Sequence, residues 1–315
     1  MSAFFIFKPI NRLNLQFRNL HFCMNIKFIN RKTKELITET PPSEGLLKFL
    51  YDNPFGKTAV LPIAKRKLLS EFYGKRMYKA ASTKKIKKFV EQLKIDMSES
   101  EKQISEFTSF NDFFYRKLKP NARPIENGFV SPGDGKILAF ENISDVQNFF
   151  IKGRKFTLTR FLKNIELARK YQNASLIILR LAPNDYHRFH FPYGGIPSEV
   201  TKIKGSYFSV SPYALRKNFG KVFCENKREY CTLQTEDKGS ILIAPVGATM
   251  VGSIIETYTS NEKVTKGDEM GYFAFGGSTI VLLVDKSAIK IDADILENTK
   301  NKLETAVNMG EKIGQ

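Results

Sequence analysis

Two hydrophobic rhythms divide the chain. Residues 25–40 alternate apolar and polar side chains, the pattern of a half-buried strand, until Pro41-Pro42 interrupts them. From 44 to 95 the period lengthens to that of a helix. Leu46, Leu47, Phe49 and Leu50 share one face, and Leu68, Leu69, Phe72 and Tyr73 share another. Lys84-Lys85-Ile86-Lys87-Lys88-Phe89-Val90, continued to Leu93, spells a basic amphipathic helix. Such a helix suits a lipid interface or packing on its own domain. Ser98-x-x-Glu101 reads as a capping box, and Ser109-x-x-Asp112 as the start of a helix over Phe110–Leu118. Pro120-Asn121-Ala122-Arg123-Pro124 closes that helix.

Beyond about residue 130 the pattern changes. Short apolar runs alternate with Gly, Pro, Asn and Asp turns, predicting strands at Lys136–Phe140, Leu176–Leu181, Ile241–Val246, Met250–Ile255, Tyr272–Phe275 and Ile280–Val284. Phe161–Tyr171 is predicted as a helix. The expected class is α+β, a predominantly β catalytic core with N-terminal amphipathic helices. The expected division is an arm over 1–45, a basic helical, membrane-facing region over 46–120 and a β-rich catalytic domain over 121–315.

Charge sharpens this division. The 315 residues carry 50 Lys and Arg against 32 Asp and Glu, a net of +18. Residues 1–95 hold +14 of it. A basic front half beside a nearly neutral remainder points to an anionic partner, a membrane surface or a nucleic acid, or to a solvated lysine-rich face. Nucleic-acid binding would call for basic and aromatic residues interleaved on a β face, and here the basic residues fall mostly in helices. Cys23, Cys224 and Cys231 show neither metal spacing nor an even count, which fits packing roles in a reducing compartment. No segment reaches the roughly 18 apolar residues of a membrane span. A second methionine, Met24, makes residues 1–23 a candidate upstream extension.

Candidate chemistry lies in three turn-like settings. Gly276-Gly277-Ser278-Thr279 runs into the apolar segment Ile280–Val284. Glycine tolerates the backbone distortion that attack by the Ser278 hydroxyl on the neighbouring Gly277 carbonyl requires. Asp134 sits in Ser131-Pro132-Gly133-Asp134-Gly135-Lys136, and His187 and His190 in Asp185-Tyr186-His187-Arg188-Phe189-His190-Phe191-Pro192. An acid that orients a histidine, which in turn deprotonates a serine, is the general activated-nucleophile arrangement. A Ser/His/Asp hydrolase is the competing reading, although the chain has no G-x-S-x-G elbow. His187 and His190 could instead be structural. No third ligand cluster accompanies them, so no metal is expected.

These residues, taken in order, resemble the phosphatidylserine decarboxylases, pyruvoyl-dependent proenzymes of the bacterial, type II-like kind. The matching stretches are Phe110–Leu118, Ser131–Lys136, Ala182–His190, Phe223–Arg228, Val246–Ser253 and Lys266-Gly267-Asp268 leading to Gly277-Ser278. Together they cover roughly residues 25–314. Gly276 stands where the family's Leu-Gly-Ser-Thr form has leucine. The resemblance implies self-cleavage between Gly277 and Ser278, with Asp134 orienting His190 and His190 taking the Ser278 proton. It implies a large chain 1–277, a small chain 278–315 and a covalent pyruvoyl cofactor derived from Ser278. The two chains would stay together as a heterodimer, because Ile280–Val284 reads as an interior strand. The pyruvoyl ketone would condense with the amine of phosphatidylserine as a Schiff base, and His187 is the candidate proton donor in decarboxylation. The implied location is peripheral, on the cytoplasmic side of the cell membrane.

Overall fold

The computed structural model describes residues 26–39, 53, 74–146, 156–248, 253–274, 276 and 278–315. The helical faces expected within 46–73, the first 25 residues, the stretch 249–252 and Gly277 lie outside the described residues. The class is α+β, as the sequence predicts.

One ten-stranded sheet organises the molecule. Its order is Leu36–Glu39, Ile26–Asn30, Glu304–Val307, Gly135–Phe140, Ser175–Leu181, Ser278–Val284, Ser240–Gly247, Arg228–Gln234 and Ile196–Pro197, with Thr201–Ile203 also pairing on Arg228–Gln234. Among the described strands of this sheet, only the Ile26–Asn30 and Glu304–Val307 pair is parallel. A second sheet of three strands joins Ile254–Glu256, Glu269–Phe273 and Arg188–His190. Every residue of Ser175–Leu181 and Ser278–Val284 is buried, which accounts for runs that are apolar on both faces instead of alternating.

Ser278–Val284 therefore lies inside the sheet, hydrogen-bonded on both sides. Burying its five aliphatic side chains, Ile280–Val284, contributes about 10 kcal/mol. A chain beginning at 278 would stay in place for that reason. The N-terminal strand is tied to the same region by charge. Arg180, 3% exposed, donates to both oxygens of Glu304 (3.0 and 2.6 Å) and of Glu39 (3.1 and 2.6 Å).

The helical segment differs from its sequence reading in detail. Ile86–Leu93 is a helix, but its apolar stripe faces inward. Ile86, Phe89 and Val90 pack with Met77, Phe107, Phe110, Phe113 and Phe114 in a cluster separate from the main core. Phe89 meets Phe110 edge-on at 5.0 Å. Only the lysine face, including Lys84, Lys87 and Lys88, is exposed. Ser109 caps a helix as expected, accepting from Asp112 N at 3.1 Å, yet the helix spans only Phe110–Phe114. The capping box falls at Gln103 and Glu106. At Ser98 the chain instead turns, because Ser98 N bonds Asp96 Oδ1. The single helix expected at Phe161–Tyr171 is two, Leu158–Leu162 and Ile165–Lys170, parted by Lys163 at φ 54°. The strand expected at Tyr272–Phe275 spans Glu269–Phe273. The described cysteines, Cys224 and Cys231, are free and buried.

Candidate active site

The sheet register brings the candidate residues to one end of the molecule. Ser278 is the first residue of its strand and lies between Gly247 and Leu181 on its two neighbours. One row further into the sheet, Arg180 faces both Thr279 and Lys136. Gly135 precedes Lys136, so the Asp134 turn projects from the same sheet end. A side chain at Gly135 would strike Arg180 O at 2.5 Å, which explains the small residue after Asp134. Gly276 has φ 143°, a conformation that side chains with a Cβ rarely adopt. Glycine in place of the family's leucine fits that backbone.

Ser278 is fully buried, and its hydroxyl has no hydrogen-bond partner. A buried, unsatisfied hydroxyl costs about 1–3 kcal/mol in lost hydration. The group is thus held unsolvated and unbonded beside the Gly277–Ser278 peptide, which fits conversion of this residue into a buried carbonyl group such as pyruvoyl.

His190 is fixed by backbone contacts. Its N donates to Pro132 O of the Asp134 turn at 2.7 Å. Its Nδ1 lies 2.8 Å from the Gly267 carbonyl, which can only accept, so Nδ1 carries the proton. Nε2 then accepts from Tyr186 Oη at 3.2 Å. Gly267, at φ 91°, shapes the turn that aims this carbonyl, which gives the Lys266-Gly267-Asp268 stretch a physical role. Burial lowers the His190 pKa, and the bond to Gly267 and the charges of Glu269 and Asp134 oppose that only in part.

The expected Asp134–His190 hydrogen bond is not formed. Arg123 claims both Asp134 oxygens, with Nε at 3.0 and 3.2 Å and Nη2 at 2.7 Å, and Met309 N donates to Oδ1 at 2.8 Å. Glu99 holds the far side of Arg123 at 2.9 Å. In this structure Asp134 acts on His190 through charge, and Gly267 orients the ring. The direct His190–Ser278 bond is likewise absent, since Ser278 Oγ is unpartnered.

His187 is buried completely, against the Phe114 ring at 3.9 Å between centroids. Its Nδ1 donates to Asp185 O at 2.8 Å, leaving Nε2 as an unpartnered base. The Asp185 carboxylate, in turn, accepts from Lys136 Nζ at 2.8 and 2.9 Å and from Ala182 N at 2.7 Å, one residue beyond Leu181. Burial drives the His187 pKa down to about 3, against the pull of Asp185.

This depression has a consequence for stability. Below its ordinary value of 6.5 the unfolded chain takes up a proton that the folded chain refuses until about 3, so the His187 contribution falls as pH drops through that window. Glu229, raised to about 7 by burial and its neighbour Glu256, acts in the opposite sense between 7 and 4.5. Comparing the wild type with His187→Phe cancels the Glu229 effect. Between pH 7 and pH 5 the wild type is expected to lose about 2 kcal/mol relative to the variant, read from urea melts. Equal losses in both chains would show that His187 titrates normally.

Several positions escaped the sequence reading. Arg123 looked only like part of a helix-ending loop. Asn226, fully buried, donates to Gly247 O at 2.8 Å and to Phe208 O at 2.9 Å, and so anchors the strand residue that pairs with Ser278. Arg228 is 1% exposed and donates to the Phe161, Asn226 and Arg160 carbonyls. Both belong to the Phe223–Arg228 stretch, whose spacing carried no chemical signal alone. Among the described residues no cluster of metal ligands occurs, and no helix is long and apolar enough to cross a membrane.

A phosphatidylserine decarboxylase family model matches residues 110–315, which contain Asp134, His187, His190 and Ser278. The chain belongs to the phosphatidylserine decarboxylase family. It is 56% identical over 292 residues to a phosphatidylserine decarboxylase proenzyme of Fusobacterium nucleatum, covering 92% of this chain and 97% of that one. Proenzymes of the same name from Clostridium botulinum strain Alaska E43 and Clostridium novyi are each 50% identical over 293 residues, covering 92% of this chain and 98% and 99% of theirs.

Proposed function

We propose that this chain is a proenzyme that cuts itself between Gly277 and Ser278 and then decarboxylates phosphatidylserine to phosphatidylethanolamine and carbon dioxide. The observation that carries this reading is the buried, unbonded Ser278 hydroxyl at the sheet end that also holds Asp134, His187 and His190. Family membership agrees with it, and the hydrolase alternative gains no contact in its favour.

For the cut, His190 Nε2 takes the Ser278 proton when the Tyr186 hydroxyl gives way. The Ser278 oxygen bonds the Gly277 carbonyl carbon, the peptide C–N bond breaks as His190 passes its proton to the departing nitrogen, and the chains are joined by an ester. Loss of the α-proton of residue 278 expels the Gly277 carboxylate. Water then replaces the nitrogen of residue 278, which leaves as ammonia, and a pyruvoyl group remains. Asp134, held by Arg123, favours the imidazolium by its charge.

A bound pyruvoyl group supplies a ketone able to accept the electron pair released with carbon dioxide. His187 enters neutral. Its free Nε2 takes a proton from the substrate's ammonium group and returns it to the α-carbon after the carboxylate leaves. The Phe114 ring keeps water from its flank.

The substrate lies in a membrane, and the basic front half suits an anionic surface at about 1 kcal/mol per lysine near it. With the Ile86–Leu93 apolar stripe packed inward, the lysine face is the part of this helix that supports an electrostatic role in this reading. Attachment is peripheral in this reading.

Denaturing mass spectrometry of active protein tests the proposal. Two fragments are expected, 1–277 and a 278–315 fragment without a free N-terminal amine. A single uncut species with full activity would overturn it.

A further inference from the structure

A cleft of about 330 Å³ opens between the helical segment and the β core. Arg188, the next residue after His187, lines it, as does Arg116, two residues beyond the Phe114 ring that packs on His187. Half of the charges of this cleft are matched. Lys102 pairs with Asp112 at 3.0 Å and Arg188 with Glu269 at 2.8 Å. Arg116 is not matched. It is 6% exposed, yet no carboxylate among the described residues lies within ion-pair distance. Its Nε is a buried donor without an acceptor, and Nη2 reaches only Asn184 O at a long 3.5 Å.

A buried unpaired guanidinium is costly, because its lost hydration is not replaced. The neighbouring acids do not relieve it. Asp185 is committed to Lys136 and Ala182 N, and Asp134 to Arg123 and Met309 N. Both still act on Arg116 through space. Nη2 faces the Asn184 carbonyl, one residue before the Asp185 carbonyl that holds His187, and this sets the guanidinium near that histidine. Lys117, exposed at the same cleft, adds a second unmatched cation, and Glu101, also exposed, a single unmatched acid.

We propose that Arg116 holds the phosphodiester of the phosphatidylserine headgroup in this cleft. The inference rests on the decarboxylase reading above. Phosphatidylserine offers two anions, and the reaction decides between them. Ion-pairing the carboxylate would stabilise the ground state, because its charge moves away as carbon dioxide leaves. The phosphodiester keeps its charge in substrate, transition state and product. Two non-bridging oxygens also match the guanidinium fork. Binding that persists unchanged through the reaction lowers KM and leaves kcat alone.

The test uses the processed two-chain protein. On phosphatidylserine in detergent micelles, Arg116→Gln is expected to raise KM by about tenfold to a hundredfold, the loss of a charged hydrogen bond, with kcat nearly unchanged. Arg116→Lys, which keeps the charge and guards against misfolding, should fall between. A second readout is independent of turnover. Glycerophosphoethanolamine, which has the phosphodiester but no carboxylate, should show phosphorus NMR line broadening with wild type and lose it with Arg116→Gln. Inorganic phosphate should broaden far less. A fall in kcat at constant KM, or undiminished broadening in Arg116→Gln, would overturn the assignment. Inorganic phosphate binding as tightly as the diester would overturn the lipid source. If the wild type proves uncut and inactive, the functional reading fails, and the NMR comparison still decides the site.

Discussion

Ser278→Ala leaves the chain in one piece, without decarboxylase activity and with its fold intact. Cleavage consumes the Ser278 oxygen as the atom that takes over the Gly277 acyl group, so no neighbouring group can substitute. Activity should fall to background, beyond the roughly 10⁴-fold losses seen when a general base alone is removed. The fold survives because the native hydroxyl makes no hydrogen bond and its site is closed to water. Alanine removes an unsatisfied donor and little volume. Ser278→Ala should therefore be about 1 kcal/mol more stable than an uncut chain that keeps the hydroxyl, such as His190→Ala, apart from the cavity the latter creates. Mass spectrometry and thermal melts check both halves. Two fragments from Ser278→Ala would remove Ser278 from the chemistry.

The central strands were legible because Leu176–Leu181, Ile241–Val246 and Ile280–Val284 are apolar runs bounded by turn residues, broken in the first only by Arg180, and two-sided burial produces that signature. Helix limits were less legible. Asn164, which caps Ile165–Lys170 by accepting from Leu167 N, stood in the sequence as a start signal inside what read as one helix. Ser211 and Pro212 likewise announce the Pro212–Glu225 helix, which the apolar pattern had not suggested. In the site, residue types were readable and partners were not. Asp134 and His190 lie in segments whose meeting the sequence does not show. That Arg123 would occupy Asp134, and a glycine carbonyl His190, depends on packing between segments far apart in the chain. The inward stripe of Ile86–Leu93 shows the same limit. Its period fixed an amphipathic helix, but only the Phe110 and Phe113 rings opposite it decided which surface the stripe covers.

The two histidines should separate the two reactions. Both donate Nδ1–H to a carbonyl, and both present a basic Nε2. They differ in position and in what reaches that nitrogen. His190 is bound by its backbone to the Asp134 turn and feels the charge of Asp134 and Glu269, which favours transient protonation. Tyr186 covers its Nε2 until the proton is needed. His187 has only Asp185 to favour its protonation, and burial overrides it; it sits deeper and keeps an open Nε2 that suits a proton carried briefly between two atoms of one substrate. His190→Ala is accordingly expected to remain uncut, so decarboxylation never begins. His187→Ala should cut into two fragments and decarboxylate about 10²- to 10⁴-fold more slowly, the usual span for a lost acid–base group. Fragment analysis and carbon dioxide release separate the outcomes. If His187→Ala fails to cut while His190→Ala cuts, the assignments are reversed. If neither cuts, both histidines serve the first reaction, and the open Nε2 of His187 would then be the base that the unbonded Ser278 hydroxyl awaits.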